Sequence, residues 1–131
     1  AARELRSFSP GMAVFPCFLW SGVNGLSELL SKTEMEYGLH ASLAETSLML
    51  ALKPELVGDE RPNEVIKGRI PEGWSLEGNA PTAWLTDDFS KSGVIGDSRG
   101  ANESLGKDLK KLLINHWFKL IMNLMQSDWP N

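Results

Sequence analysis

Two stretches of the chain carry apolar residues at helical spacing. The longer predicts a helix from Asn102 to about Gln126, where Leu105, Leu109, Leu112, Leu113, Trp117, Leu120, Ile121 and Leu124 recur at three- and four-residue steps. Asn102 or Ser104 can cap its start, and the breadth of the stripe predicts that it covers a sheet or a neighbouring subunit. The second stretch begins at His40 and runs to Leu52; it is apolar nearly all round after Glu45 and predicts a buried helix stopped by Lys53 and Pro54. Met12 to Trp20 is short, apolar and partly aromatic, which predicts a buried strand, with Pro16 forcing an edge position or a bulge. Leu26 to Lys32 predicts a short helix, and the polar run Thr33 to Leu39 a loop. Residues 58–82, rich in Gly, Pro and charge, predict an excursion with short strands at most, packed down by Trp74 and Trp84. Residues 87–96 predict a punctuated loop holding one apolar step, Val94-Ile95. The opening Ala1–Phe8 consists of good helix formers and reads as the end of a helix, so the chain is expected to be the C-terminal portion of something longer. Helix end, Pro10-Gly11 turn and apolar strand together make one step of an α/β layered fold.

Length and composition narrow the class. The 131 residues suit one domain or part of a larger one. Hydrophobic residues make up 42% and charged residues 23%, which excludes a disordered chain. A net charge of −4 with no basic block argues against nucleic acid and anionic membrane as partners. No apolar run reaches the roughly 18 residues of a membrane span. The single Cys17 excludes an intrachain disulfide framework and an all-cysteine zinc site, and fits a reducing compartment such as the cytoplasm.

Candidate chemistry is sparse. The chain has no GxGxxG, P-loop, GxSxG or HExxH pattern. Of its two histidines, His116 lies within the long C-terminal helix and reads as a surface or interface residue. His40 stands where a polar run meets a buried helix, five residues before Glu45. Five helical steps separate two side chains by roughly 140°, so the pair converges only if His40 lies at or before the first turn. A carboxylate in so apolar a stretch needs a partner or a metal. The bland alternative is a capping or ion-paired Glu45 beside a surface histidine.

The run His40-Ala-Ser-Leu-Ala-Glu-Thr-Ser-Leu-Met-Leu-Ala-Leu-Lys-Pro-Glu-Leu-Val57 resembles the creatininase family, whose motif is His-Ala/Gly-Gly-x-x-Glu-Thr-Ser followed by an apolar helix and a Pro-Asp/Glu-Leu-Val stop. Pro81-Thr-Ala-Trp-Leu-Thr86, Ser92-Gly-Val-Ile-Gly-Asp97 and the final helix resemble family segments in the same order, so the likeness covers nearly the whole chain. It implies an α/β fold, with residues 1–131 forming one domain incomplete at its N-terminus: the C-terminal portion of a three-layer architecture with a mostly parallel sheet. It also implies hydrolysis of a cyclic or linear amide C–N bond through two divalent metals, zinc or manganese. By the resemblance, Glu45 is a metal ligand and His40 the catalytic residue that handles the proton of the leaving nitrogen.

Two departures qualify the match. Ser42 stands where the family carries glycine, and Glu36-Tyr37-Gly38-Leu39 precede His40 where creatininase has tryptophan and acidic residues, which weakens the case for creatinine itself as substrate. The family's Glu-x-His pair, bridging aspartate and Gly-His-Gly-Gly-Asn loop do not occur here. One histidine and one glutamate cannot hold a binuclear centre. The chain alone is therefore expected to bind no metal stably and to act only with a partner: the N-terminal half of the same fold or a larger complex, within an oligomer. The alternatives are a non-catalytic, creatininase-derived subunit with a structural role, and a generic α/β interaction domain.

Overall fold

Helices dominate the architecture. The computed structural model describes residues 1–66, 71–76 and 80–129. The order of elements is α1 (Ala2–Phe8), α2 (Leu26–Leu29), α3 (Lys32–Tyr37), α4 (Leu43–Leu52), a 3-10 turn (Pro54–Leu56), β1 (Asn63–Glu64), α5 (Thr86–Phe89), β2 (Gly96–Asp97) and α6 (Glu103–Met125). The chain divides into a central unit, Gly25–Lys110, and a terminal unit made of Ala1–Asn24 and Lys111–Asn131; the boundary falls inside α6.

The core of the central unit is Ile66, Leu76 and Ile95, with Tyr37, Leu39, Trp84 and Phe89 packed against it. Trp84 meets Phe89 edge-on with ring centroids 6.1 Å apart, and its indole N–H donates to the Leu76 carbonyl at 3.3 Å. Strand β1 pairs antiparallel with β2, Asn63 opposite Asp97 and Glu64 opposite Gly96. Just before β2, Ile95 forms an antiparallel bridge with His40. Helix α4 lies against the start of α6: Asn102 caps α6 by accepting from the Leu105 N–H at 2.9 Å, and its own N–H donates to the buried Ser47 hydroxyl at 3.1 Å. Gly106 permits the close approach, because a Cβ there would collide with the Ser47 carbonyl and lie 2.8 Å from the Ala51 methyl.

In the terminal unit, Leu113 is buried, the Trp117 indole N–H donates to the Leu19 carbonyl at 2.9 Å, and the Arg6 guanidinium lies 4.6 Å from the Trp129 ring centre. Many of its large apolar side chains are open to solvent, among them Phe8, Phe18, Phe118, Ile121 and Met125.

The expected fold class does not hold. Of the described residues 47% are helical, and among them one two-stranded antiparallel sheet stands where the mostly parallel sheet of a three-layer α/β fold was expected. The physical reason is that a strand exists only with a ladder partner, and apolar content alone does not supply one. Met12–Trp20, read as a buried strand, forms turns and irregular chain, with Met12, Phe15 and Phe18 exposed; Pro16 also removes a donor midway. The polar run after Leu30 is not a loop but contains α3, started by the Ser31 hydroxyl accepting from the Glu34 N–H at 3.1 Å. Helix α4 begins at Leu43, three residues later than its apolar pattern, and buries only Ala44 and Ser47 fully. In the excursion of residues 58–82, Trp84 beyond its end packs on the core while Trp74 is exposed; residues 67–70 and 77–79 of that stretch lie outside the described residues.

Candidate functional site

Two buried polar side chains, Glu34 and Ser42, meet at the head of α4. Apolar burial places Leu39 and Ile95 in the core, and the bridge between the two segments sets the path of the chain into the helix: the Leu39 and His40 N–H groups donate to the Ile95 carbonyl at 2.9 and 3.2 Å, and the Ile95 N–H donates to the His40 carbonyl at 2.8 Å. The chain then turns sharply. Ala41 sits at φ 49°, the only non-glycine described residue with positive φ, a conformation that costs an L-residue roughly 1–2 kcal/mol.

Two carboxylates hold this turn. Glu45, in the first turn of α4, reaches back so that Oε2 accepts from the Ala41 N–H at 2.7 Å, while the Thr46 hydroxyl donates to the Ala41 carbonyl at 2.8 Å. Glu34, from α3, reaches across: Oε1 accepts from the Ala44 N–H at 2.8 Å and Oε2 from the Ser42 hydroxyl at 2.6 Å. Ser42 is the N-cap residue of α4, yet its side chain does not cap; Glu34 satisfies the otherwise unpaired, buried Ala44 N–H in its place.

His40 thus stands two residues ahead of the N-cap, and from there its Nδ1 lies 3.9 Å from Glu45 Oε2. The structure brings the two sequence-predicted site residues together, the histidine side chain 63% and the glutamate side chain 41% exposed. His116 lies elsewhere, in the terminal unit, edge-on to Trp117 at 5.3 Å; its Nε2 is buried without a hydrogen-bond partner. Beside the turn opens a cavity of about 310 Å³, lined by Ser31, Thr33, Glu34, Tyr37, Leu43 and Asp97 together with three glycines and Val65. Asp97 is engaged by Arg99 through two side-chain hydrogen bonds, at 2.9 and 2.7 Å, and a backbone N–H bond at 3.1 Å, which hold its carboxyl below the usual carboxylate range.

Glu34 was absent from the sequence reading. Its signal was present: Ser31-Lys-Thr-Glu34 has the S-x-x-E spacing of a helix start.

A metal centre is not complete within these residues. Among the described residues no group of three or more His, Cys, Asp or Glu side chains could hold a metal ion. His40 and Glu45 offer two donors where zinc takes three or four protein ligands, and one Glu45 oxygen already serves the Ala41 N–H. Among the described residues no helix is long and apolar enough to cross a membrane.

Comparison with protein families matches residues 1–121 to the model described as creatininase, creatinine amidohydrolase. Neither curated proteins nor solved structures include a match to this chain.

Proposed function

The chain belongs to the creatininase family, and from that premise we propose that it serves in hydrolysis of an amide C–N bond, cyclic or linear, with His40 as the proton-handling residue and Glu45 as its acidic partner. The observation that carries the reading is the convergence of His40 Nδ1 and Glu45 Oε2 to 3.9 Å at the head of α4; the nearby cavity is lined by Glu34, Leu43 and Asp97 and by neither member of the pair. In such a reaction water adds to the carbonyl carbon, the C–N bond breaks, and the departing nitrogen takes up a proton; an imidazole near the leaving group supplies it.

The zinc or manganese that the resemblance implies needs donors beyond those described; Glu45 would be one ligand of a set completed by other polypeptide, and the metal would polarise the amide carbonyl. That polypeptide is the rest of a creatininase-like fold or a larger complex. The exposed apolar side chains of the terminal unit support an assembled state, and the exposed Cys17 thiol supports a reducing compartment. The same exposed surface, with only two donors at the turn, also favours a second reading: a non-catalytic subunit kept for its interfaces.

The test uses the chain in the assembly isolated from its native source, assayed for ring opening of creatinine and for amine release from linear N-alkyl amides, with metal content measured alongside. Hydrolysis that falls by roughly 10²–10⁴-fold in His40→Asn, the usual worth of a placed general acid, supports the catalytic reading. An inert assembly without divalent metal supports the structural one.

A further inference from the structure

We propose that Glu34 is a positioning residue for His40, acting through Ser42; the proposal rests on the assignment of His40 and Glu45 to the reaction. Glu34 is only 7% exposed, and its carboxylate receives two donors from the head of α4, the Ser42 hydroxyl and the Ala44 N–H. The Ser42 hydroxyl, 1% exposed as a residue, in turn accepts from the Asp97 N–H at 3.0 Å. One buried chain of hydrogen bonds therefore joins α3, the N-cap of α4 and β2. Two glycines make room for it. A Cβ at Gly38 would lie 2.5 Å from the Glu34 carboxylate, and one at Gly96 would collide with the Ser42 hydroxyl.

Ser42 itself is extended, with φ −78° and ψ −167°, so it pays no backbone penalty; the positive φ falls on Ala41. A strained residue persists only where its surroundings over-determine it. Here the Ile95 bridge fixes the chain before Ala41, the Glu34–Ser42 lock fixes it after, and Glu45 and Thr46 hold the Ala41 N–H and carbonyl. Without the Glu34 carboxylate, the Ser42 hydroxyl proton and the Ala44 N–H lose their acceptors inside the protein, a cost that drives rearrangement. Ala41 then relaxes, and His40 leaves Glu45.

The experiment is amide hydrogen exchange by NMR on the full chain, with nuclear Overhauser contacts between the His40 ring and Glu45. The variants are Glu34→Ala, Ser42→Ala, their double, and the isosteric Glu34→Gln. Glu64→Gln, which removes a different hydrogen-bonded carboxylate of the same unit, is the control. The expected result is that Glu34→Ala lowers protection of the Ala41 amide at least tenfold more than that of Leu50 within α4, and abolishes the His40–Glu45 contacts. Because Glu34 acts through Ser42, the double variant should protect Ala41 within about threefold of the worse single variant. Should Glu34→Ala fail to fold, Glu34→Gln decides, with the same Ala41-specific loss at smaller size. Protection of Ala41 that falls only in step with Leu50, as in Glu64→Gln, overturns the proposal, and so do single losses that multiply in the double variant. These readouts do not depend on turnover. Undiminished hydrolysis in His40→Asn would remove the catalytic reading and leave the lock standing, whereas an unmoved Ala41 would remove the lock alone.

Discussion

Three glutamates, Glu34, Glu45 and Glu64, accept from backbone N–H groups, and Glu64 shows the consequence for pH. Its carboxylate takes the Ser92 hydroxyl at 2.5 Å and the Lys91 and Ser92 N–H groups at 2.9 and 3.0 Å, hooking the segment between α5 and β2 to β1. These bonds, the Ser92 hydroxyl first, push its pKa from 4.5 down to about 2. The folded-state value lies below the unfolded one, so the contribution to stability is complete above about 4.5 and is lost as pH falls through about 2. Glu64→Gln should therefore melt lower than the wild type at pH 7, with the gap closing between pH 4.5 and pH 2. Thermal melts across that range check it; a gap that stays constant would mean that the charge is not the cause. At the same scale, Glu45 spends one carboxylate oxygen and Glu34 both on the head of α4, where His40 Nδ1 lies 3.9 Å from Glu45 Oε2.

At the scale of elements, the crossing of α4 and α6 turns on one glycine. Gly106 lies within α6, where alanine would ordinarily gain up to about 1 kcal/mol in helix propensity. The added methyl meets the Ser47 carbonyl and the Ala51 side chain, so Gly106→Ala should instead destabilise the protein by about 1–3 kcal/mol, the usual cost of overpacking. A shift of the denaturant midpoint to lower concentration checks this, and a shift to higher concentration would refute the close approach. Helix α6 was legible in the sequence because its apolar period is long and its cap, Asn102, is the expected type. Helix α4 was legible apart from its start, which is set by the Ile95 bridge and the Glu34 cap, contacts remote in sequence. Helix α3 was missed because its residues are polar and its one buried side chain, Glu34, is charged. The Met12–Trp20 segment misled because apolar content marks a surface that seeks cover without saying which element provides it. For the site, the sequence held the pairing of His40 with Glu45 as a conditional, and the structure meets the condition by placing His40 before the helix; Glu34 needed the tertiary arrangement.

At the scale of the whole molecule, the exposed apolar side chains concentrate in one unit. Ile114, Phe118, Ile121 and Met125 of α6 are each more than half exposed, as is Phe8 of α1. A monomeric protein rarely leaves so much contiguous apolar surface in water. The chain by itself should bind an exposed-hydrophobe dye strongly, and Ile114→Lys with Phe118→Glu should reduce that binding several-fold without lowering the melting temperature of the central unit. Unaltered dye binding in that variant would place the exposed surface elsewhere. Family membership, shown over residues 1–121, points to amidohydrolase-like chemistry for the chain.

The central claim, that His40 and Glu45 act as one unit in amide hydrolysis, is tested most directly by a double-mutant cycle on turnover in the native assembly. Rates of C–N cleavage are compared for the wild type, His40→Asn, Glu45→Gln and the double variant. Groups that act as a unit are strongly non-additive. Each single variant is expected to lose roughly 10²-fold or more, and the double variant to fall within about tenfold of the worse single. Undiminished cleavage in His40→Asn, or losses that simply multiply in the double variant, would contradict it.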